Sequence, residues 1–310
     1  MTVLITGADG FIGSYLANFF LQDGHSVIAT SRQFHVSTST LLKDAQLIDL
    51  DVLNNHQLQS ISAQADVIIH TATANDIISK NAIKGIELSA IGTKNILEFA
   101  VKNKIPKCIV FSTLQVYGTE LTGDISETSP LHFQNDYGLN HLFAEMYAEQ
   151  YHRQNKIKCA IVRPSNVYGK ILTNSFNRWS LVPGSFCKEA LESGAITIKS
   201  SGLQMRNFIN LENLALAISC ILKDNMDNFE VYNAGSTEHK TMLQAAEIVK
   251  NVFEKNLNRK VELKVEGIEP SKTNTFNLSI DKLKKKGFVE NKDFNLESGI
   301  KEIFNYLQNK

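Results

Sequence analysis

The stretch Thr6-Gly7-Ala8-Asp9-Gly10-Phe11-Ile12-Gly13 decides the fold, because it separates two segments of different periodicity. Val3-Leu4-Ile5 before it is a short apolar run that predicts a buried strand, and Ile12 to Asp23 after it predicts a helix. Glycines at every third position allow a tight turn, a close approach of the backbone to a ligand, and close packing of the helix on the strand. The free N–H groups at the start of such a helix bind phosphate. The stretch therefore predicts a strand–turn–helix unit that holds a dinucleotide.

Further apolar runs follow at regular intervals along the first half of the chain. They lack the polar alternation of a half-exposed strand, so both faces of each strand are expected to be buried, as in a parallel sheet covered by helices. A long helical segment from about Tyr137 to Asn155 precedes the last of them. The fold class predicted is α/β, with a doubly wound, mostly parallel Rossmann sheet. The runs are Ser26-Val27-Ile28-Ala29, Asp66 to His70, Lys107 to Phe111 and Cys159 to Val162.

The alternation of predicted strands and helices changes after Gly169, where the apolar segments become shorter and polar patches become more frequent. We therefore expect a smaller C-terminal α/β lobe that binds substrate. The Rossmann domain is predicted to comprise residues 1–169 and about 207–230, including a helix from Leu211 to Lys223. The substrate lobe is predicted to comprise about 170–206 and 231–310, and it ends in a helix from Leu296 to Leu307.

Composition excludes several classes of function. The 32 basic residues balance 32 acidic ones, so no net field favours nucleic acid or an anionic membrane. No apolar stretch approaches the ~18 residues of a membrane span. The start Met1-Thr2-Val3 lacks the basic region of a signal peptide, so a cytoplasmic protein is expected. The cysteines show no metal-ligand spacing, and no metal site is expected; they are Cys108, Cys159, Cys187 and Cys220.

The glycine spacing G-x-x-G-x-x-G, with Tyr137 downstream, resembles the extended short-chain dehydrogenase/reductases. This superfamily contains nucleotide-sugar epimerases, dehydratases and 4-ketoreductases. The segment from Phe111 to Gly118 resembles the one that follows the family's fourth strand, and Thr113 matches its catalytic Ser/Thr. Family 4,6-dehydratases carry Asp-Glu at the next two positions, where this chain has Leu114-Gln115. The resemblance therefore argues against dehydration.

Tyr137 matches the catalytic tyrosine of the family's Y-x-x-x-K, but His141 occupies the lysine position. In the family the phenol exchanges a proton with a sugar oxygen, and the lysine lowers the tyrosine pKa and binds the nicotinamide ribose. Histidine is mostly neutral at pH 7. Three alternatives stay open: His141 partly replaces the lysine, a water or another base does so, or catalysis is weak or absent.

The same resemblance predicts the cofactor contacts. Strand two ends in Ala29-Thr30-Ser31-Arg32, without the acid that binds the ribose of NAD, so NADP is favoured over the alternative, NAD. Ser89 stands where the family usually has Asn. The predicted cofactor-binding residues are Gly7, Gly10, Phe11, Ile12, Gly13, Ser31, Arg32, Asp51, Val52, Thr71, Ala72, Thr73, Ser89, Tyr137, His141 and Pro164.

The substrate side carries two further motifs. Arg163-Pro164-Ser165-Asn166-Val167-Tyr168-Gly169 is similar to the family's R-x-x-N-V-Y-G, and Asn166 matches a residue used near the sugar diphosphate. Arg206-Asn207-Phe208-Ile209 resembles R-D-F-I/V, whose arginine contacts phosphates, a geometry that a guanidinium suits. The resemblance thus implies that Thr113, Asn166 and Arg206 bind a nucleotide sugar.

The function predicted first is reduction of a nucleotide-linked 4-keto-6-deoxyhexose by NADPH, with Thr113, Tyr137 and His141 as catalytic residues. An NAD-dependent 4-epimerase or 4-dehydrogenase is the alternative, and a non-catalytic dinucleotide-binding protein is a second one. Family members often pair through two helices per subunit, which suggests a homodimer formed by the segments 81–102 and 137–155. The nucleotide, the sugar and the stereochemistry at C4 stay open.

Overall fold

The computed structural model describes residues 1–175, 179, 181–267 and 275–309. The strands are β1 (Thr2–Thr6), β2 (Ser26–Ser31), β3 (Gln46–Asp49), β4 (Val67–His70), β5 (Lys107–Phe111), β6 (Gly123–Ile125), β7 (Lys158–Pro164), β8 (Asn166–Tyr168), β9 (Ala195–Ile198), β10 (Met205–Asn210), β11 (Glu230–Ala234), β12 (His239–Thr241), β13 (Glu262–Val265) and β14 (Phe276–Leu278). The α-helices are α1 (Phe11–Gln22), α2 (Val36–Leu41), α3 (Asn55–Ser60), α4 (Ala82–Ile86), α5 (Gly92–Lys102), α6 (Asp136–Arg153), α7 (Gly184–Glu192), α8 (Leu211–Leu222), α9 (Met242–Leu257), α10 (Asp281–Lys285) and α11 (Leu296–Gln308). Short 3₁₀ turns span Ile78–Lys80 and Leu114–Tyr117, and a π-helical turn spans Glu87–Ile91.

Seven strands form the central sheet in the order β11-β7-β5-β4-β1-β2-β3, and all of its pairs are parallel. The chain runs outward from β1 through β2 and β3, and then returns to build the other half from β4. The strand order therefore reverses beside β1, which is the point where open α/β sheets bind ligands. The predicted doubly wound Rossmann fold is confirmed.

Successive side chains of a strand point to opposite faces of the sheet, so alternate residues of the central strands belong to two separate hydrophobic cores. Val3 and Ile5 of β1 point into the core on one face, which α1 and α8 cover. Leu4 points into the core on the other face, which α5 and α6 cover. All three side chains are fully buried, so burial on both faces explains their uninterrupted apolar run.

A third hydrophobic core lies in the C-terminal part of the chain, where α7, α9 and α11 pack together. The small sheet β12-β10-β8 joins this part to the central sheet through β8, which follows β7 after one residue. One strand departs from the predicted domain boundaries. β11 pairs in parallel with β7 and extends the central sheet, although residues from 231 onward were expected in the substrate lobe.

Two helical segments that lie beside the sheet carry residues of the predicted site. The Asn135 side chain accepts a hydrogen bond from the Gly138 N–H at 2.8 Å, which starts α6 one residue before Tyr137. The segment expected as a single helix over 81–102 consists of α4, the π-helical turn and α5. Within the described residues, no helix is both long and apolar enough to cross a membrane.

Candidate active site

A cavity of about 440 Å³ opens at the carboxyl ends of the central strands, at the point where the strand order reverses. The wall segments that follow β1, β4, β5 and β7 lie at strand ends, which is where parallel sheets carry their functional loops. The cavity brings together most of the residues predicted to bind or react. The predicted residues that line it are Gly7, Gly10, Phe11, Ile12, Gly13, Thr71, Thr73, Thr113, Tyr137, His141, Pro164, Asn166 and Arg206.

The glycine-rich turn is too tight for side chains. Gly7 has a φ of +70°, which favours glycine, and a Cβ on Gly13 would lie 2.2 Å from the Gly7 carbonyl oxygen. Gly10, the residue before α1, offers no side-chain cap, so the first N–H groups of α1 have no side-chain partner from it. These donors border the cavity and form a cradle for an anionic group such as a pyrophosphate.

Thr113 and Tyr137 approach the cavity from two different elements. Thr113 lies two residues beyond β5, is 6% exposed, and its Oγ1 accepts a hydrogen bond from the Gln115 N–H at 3.3 Å. Tyr137 lies in the first turn of α6, and its ring centroid is 4.7 Å from that of His141. Both residues line the same cavity, so a hydroxyl and a phenol are available to bind and protonate one substrate oxygen.

His141 is a buried, neutral imidazole. Its Nδ1 lies 3.3 Å from the Phe111 carbonyl oxygen, whereas its Nε2 makes no hydrogen bond to a described residue. Burial lowers its pKa to about 4, and the backbone carbonyls of Phe111 and Ala74 offset only part of this effect. Because a carbonyl oxygen only accepts, the Phe111 contact favours the tautomer with the proton on Nδ1, which leaves Nε2 as a buried acceptor.

His70 lies next to His141 but belongs to the scaffold. Its Nδ1 is 2.7 Å from Thr6 Oγ1 and its Nε2 is 3.1 Å from Thr93 Oγ1. Burial, and next the neighbouring His141, lower its pKa to about 3. The neutral ring ties β1 and β4 to α5, and both of its nitrogens are satisfied within the protein.

A buried ion pair joins the segments that carry the predicted catalytic residues. Arg163 at the end of β7 donates from Nε and Nη2 to both carboxylate oxygens of Glu145 on α6, at 2.9 and 2.6 Å. Ser112 also donates to Glu145, and Arg163 Nη1 donates to the Tyr117 hydroxyl at 2.7 Å. Burial lowers the pKa of Arg163, but its bonds and charge interaction with Glu145 raise the net pKa above the usual value. The pair fixes α6 against the ends of β5 and β7.

Among the described residues that line the cavity, Arg206 is the one with a permanently charged basic side chain. It is half-buried, it belongs to none of the described ion pairs, and its Nη1 donates to the Met205 carbonyl oxygen at 3.0 Å. Burial lowers its pKa, because desolvation disfavours the charged form. Asn166 lines the same cavity and donates from Nδ2 to the Asn207 carbonyl oxygen at 2.8 Å. Both groups suit a phosphate or another anion.

Several predicted cofactor residues lie outside this cavity wall, and their roles stay predictions. Arg32 is exposed beyond β2, while Asp51 accepts a hydrogen bond from the Leu53 N–H at 2.9 Å. Ser89 is fully buried in the π-helical turn, and its Oγ accepts a bond from the Ala74 N–H at 2.9 Å. Through this hydrogen bond to Ala74, Ser89 holds the loop that follows β4. The complete set outside the wall is Ser31, Arg32, Asp51, Val52, Ala72 and Ser89.

The cavity also contains residues that the sequence did not single out. Asn75 and Asp76 extend the loop after β4, and Ser165 lies between two predicted residues. Their position after a strand end was a usable signal. The contribution from the C-terminal half had no such signal, because it depends on tertiary packing; it comprises Leu181, Val182, Met205 and Phe276. Among the described residues, no group of three His, Cys, Asp or Glu could hold a metal ion.

Comparison with known proteins places this geometry in a family. Residues 3–235 match the NAD dependent epimerase/dehydratase family. UDP-glucuronic acid decarboxylase 6 of Arabidopsis thaliana is 28% identical over 269 residues, covering 84% of this chain and 77% of the relative. A protein of Methanocaldococcus jannaschii that carries the provisional name UDP-glucose 4-epimerase is 26% identical over 314 residues, covering 99% and 98%.

The fold agrees with solved structures as well. The UDP-glucuronic acid 4-epimerase of Bacillus cereus, solved in complex with NAD, superposes with a TM-score of 0.83 at 24% identity, covering 99% of this chain and 96% of that one. The prediction of an extended short-chain dehydrogenase/reductase, and of an enzyme class that acts on nucleotide sugars, is confirmed at the level of the family. Because the family match spans three quarters of the sequence, this chain belongs to the NAD dependent epimerase/dehydratase family.

Proposed function

We propose that the protein is an NAD(P)-dependent nucleotide-sugar 4-epimerase. The observation that carries this proposal is the pairing of Thr113 and Tyr137 at one cavity, with Leu114 and Gln115 at the positions of the dehydratase acids. Such a site can oxidise and reduce a carbinol carbon but has no carboxylate pair there for elimination. The provisional epimerase name of the full-length relative supports the same choice over the reductase predicted first.

The residues present fit a dinucleotide. The glycine cradle at α1 suits its pyrophosphate, and Nε2 of buried His141, which has no hydrogen-bond partner among the described residues, suits a hydroxyl group of the ligand. When bound, the nicotinamide supplies an acceptor and donor of hydride. His141 would accept a hydrogen bond from a ribose hydroxyl, where the family's lysine donates one. The chain thus retains a polar contact at this position but lacks a permanent charge.

The mechanism assigns separate tasks to the side chains. Arg206 and Asn166 hold the diphosphate, so that the sugar ring lies beside Thr113 and Tyr137. Thr113 hydrogen-bonds the C4 oxygen, while the Tyr137 phenolate accepts the proton of the C4 hydroxyl. Loss of this proton together with a hydride from C4, for which the nicotinamide would be the acceptor, would leave a 4-keto sugar that stays bound. After the ring has turned, return of the hydride to the opposite face of C4 and of the proton from Tyr137 to the C4 oxygen would complete the inversion.

The test is to incubate the purified protein with UDP-glucose, UDP-glucuronic acid and the corresponding UDP-6-deoxyhexose, without added reductant, and to separate C4 epimers by chromatography. Conversion with no net change in nicotinamide absorbance supports the epimerase. Tyr137→Phe should lower kcat by about 10²–10⁴-fold, since proton transfer is lost. Full activity of this variant would remove Tyr137 from the mechanism. No turnover of any nucleotide sugar would favour the non-catalytic alternative, with His141 as its cause.

A 4-ketoreductase is the second candidate, because the end of β2 offers Ser31 and exposed Arg32 and no acid. These groups suit the 2′-phosphate of NADP, and exchangeable NADPH suits a net reduction. Stoichiometric oxidation of NADPH by a nucleotide-linked 4-keto sugar, without epimer formation, would favour this candidate. The solved epimerase cited above contains NAD, which supports NAD as the cofactor of the first candidate.

A homodimer is part of the proposal. Large apolar side chains are exposed on the helical segments expected to pair: Ile83 at 71%, Ile86 at 40% and Ile91 at 41% from α4 through the π-helical turn, and Met146 at 57% on α6. α4 and the π-helical turn both pack against α6, so the elements that carry these side chains are neighbours. Burial of this surface against a second copy would remove it from water.

A further inference from the structure

One wall of the active-site cavity is apolar and belongs to a separate small hydrophobic cluster. Leu114 and Phe276 are each 7% exposed members of this cluster, and Leu121 and Met205 pack against it. All four line the cavity. They come from the turn after β5, the loop before β6, β10 and β14, so four separate parts of the chain converge on this wall.

The wall begins beside the reacting group. Leu114 follows Thr113, whose hydroxyl is assigned to the C4 oxygen under the proposed function, on which this inference rests. A substituent on a ring carbon next to C4 is therefore the part of the sugar that the wall can reach. C3 carries a hydroxyl group in a hexose, whereas C5 carries C6, which is a methyl, a hydroxymethyl or a carboxylate group.

The four side chains of the wall contain no N–H or O–H group to bind a polar C6. The polar residues between Leu114 and Leu121 that line the cavity are already engaged: Gln115 Oε1 accepts a hydrogen bond from Asn135, and Thr119 Oγ1 donates one to Gln134. The charged side chains described around the cavity are Asp76 and Arg206. Arg206 is assigned to the diphosphate, and Asp76 would repel a carboxylate. A hydroxyl or carboxylate pressed on this wall would lose its water without replacement, while a methyl group would gain from burial.

We propose that the apolar wall selects a 6-deoxyhexose, with its C6 methyl against Leu114, Leu121, Met205 and Phe276. The substrate class is then a nucleoside-diphosphate 6-deoxyhexose rather than the corresponding hexose or uronic acid. Leu114 occupies the position of the first acid of the family's 4,6-dehydratases, and here it supplies part of the contact surface for the methyl group. This assignment goes beyond 4-epimerisation, which is equally possible with all three sugars.

The experiment compares three sugars on one nucleotide, identical except at C6. Both kcat/KM for 4-epimerisation and the dissociation constant by calorimetry are measured with the cofactor-loaded protein. The 6-deoxyhexose should exceed the hexose by about tenfold or more in kcat/KM, because one group in an apolar pocket changes specificity by roughly 10–200-fold. The uronic acid should be the poorest of the three. The dissociation constants should follow the same order.

Two leucines provide a matched pair of variants. Leu121 and Leu131 are both partly buried and both pack against this cluster, but Leu121 lines the cavity and Leu131 does not. Leu121→Asn should reduce the preference for the 6-deoxyhexose, whereas Leu131→Asn should leave it unchanged. Equal kcat/KM and equal binding of hexose and 6-deoxyhexose would overturn the wall assignment and leave the epimerase intact. Absence of epimers from all three would overturn the proposed function, while the binding order would still decide the assignment.

Discussion

Replacement of Arg163 by Met removes one partner from the buried pair with Glu145. In the folded protein Arg163 is 4% exposed and Glu145 is 5% exposed, so water cannot take the place of the lost guanidinium. The carboxylate would keep its bond from Ser112 but lose two charge-assisted bonds and the opposite charge. The Tyr117 hydroxyl would lose the bond that it accepts from Arg163.

The expected loss in free energy of unfolding is about 3–5 kcal/mol, the usual cost of breaking a buried ion pair from one side. The same helix provides a control. Arg153 and Glu149 form an exposed pair at 2.6 Å, with 72% and 38% of their side chains accessible. Arg153→Met should cost about 0.5 kcal/mol or less, because water solvates the carboxylate that remains.

The assay is equilibrium unfolding in urea, followed by far-UV circular dichroism, with the slope m compared between variants. The double variant Glu145→Leu/Arg163→Met should be more stable than Arg163→Met alone, since it leaves no unpaired charge in the interior. If Arg163→Met costs no more than Arg153→Met at unchanged m, the pair does not stabilise the site as described. If the double variant is the least stable of the set, the reasoning on the unpaired charge is wrong.

Three further predictions concern pH, cofactor choice and assembly. The pKa values of His141 and His70 are lowered to about 4 and 3, so the unfolded chain binds protons first as the pH falls below about 6.5. Stability should therefore decrease toward pH 4 by up to roughly 1.4 kcal/mol per pH unit for each histidine, and urea unfolding of His141→Gln should show a shallower dependence. Arg32→Ala should weaken NADPH binding far more than NADH binding in fluorescence titrations; equal effects would exclude a 2′-phosphate contact. Ile83→Glu should convert a dimer to a monomer in sedimentation velocity without changing the circular dichroism spectrum, and an unchanged sedimentation coefficient would move the interface elsewhere.

Local sequence patterns were sufficient to predict the buried strands and the site residues at their ends. Continuous apolar runs predicted β1, β4, β5 and β7, because burial on both faces favours apolar side chains at consecutive positions. β3 was missed: Gln46–Asp49 lies at the sheet edge, is half-exposed, and has no such run. The π-helical turn Glu87–Ile91 was missed as well, because the segment 81–102 was expected to be a single helix.

The site was predictable only where its residues follow directly from a strand or from one helix face. Tyr137 and His141 are four residues apart on α6, and this spacing already places them together. Glu145 continues the same face of α6, but its partner Arg163 lies on β7, so the ion pair required the fold. Met205 and Phe276 reach the cavity from the C-terminal half, and no spacing in the sequence relates them to Thr113.

The position of β11 has a consequence for how the protein is made. β7 is synthesised well before β11, its neighbour in the central sheet, because the segment from Pro164 to Glu230 intervenes. At translation rates of about 5–20 residues per second, the outer edge of β7 stays unpaired for seconds. Its unpaired N–H and C=O groups are then open to pairing with another nascent chain. Slow synthesis across this segment should therefore increase aggregation, and chaperones that bind extended strands should engage the chain at this stage.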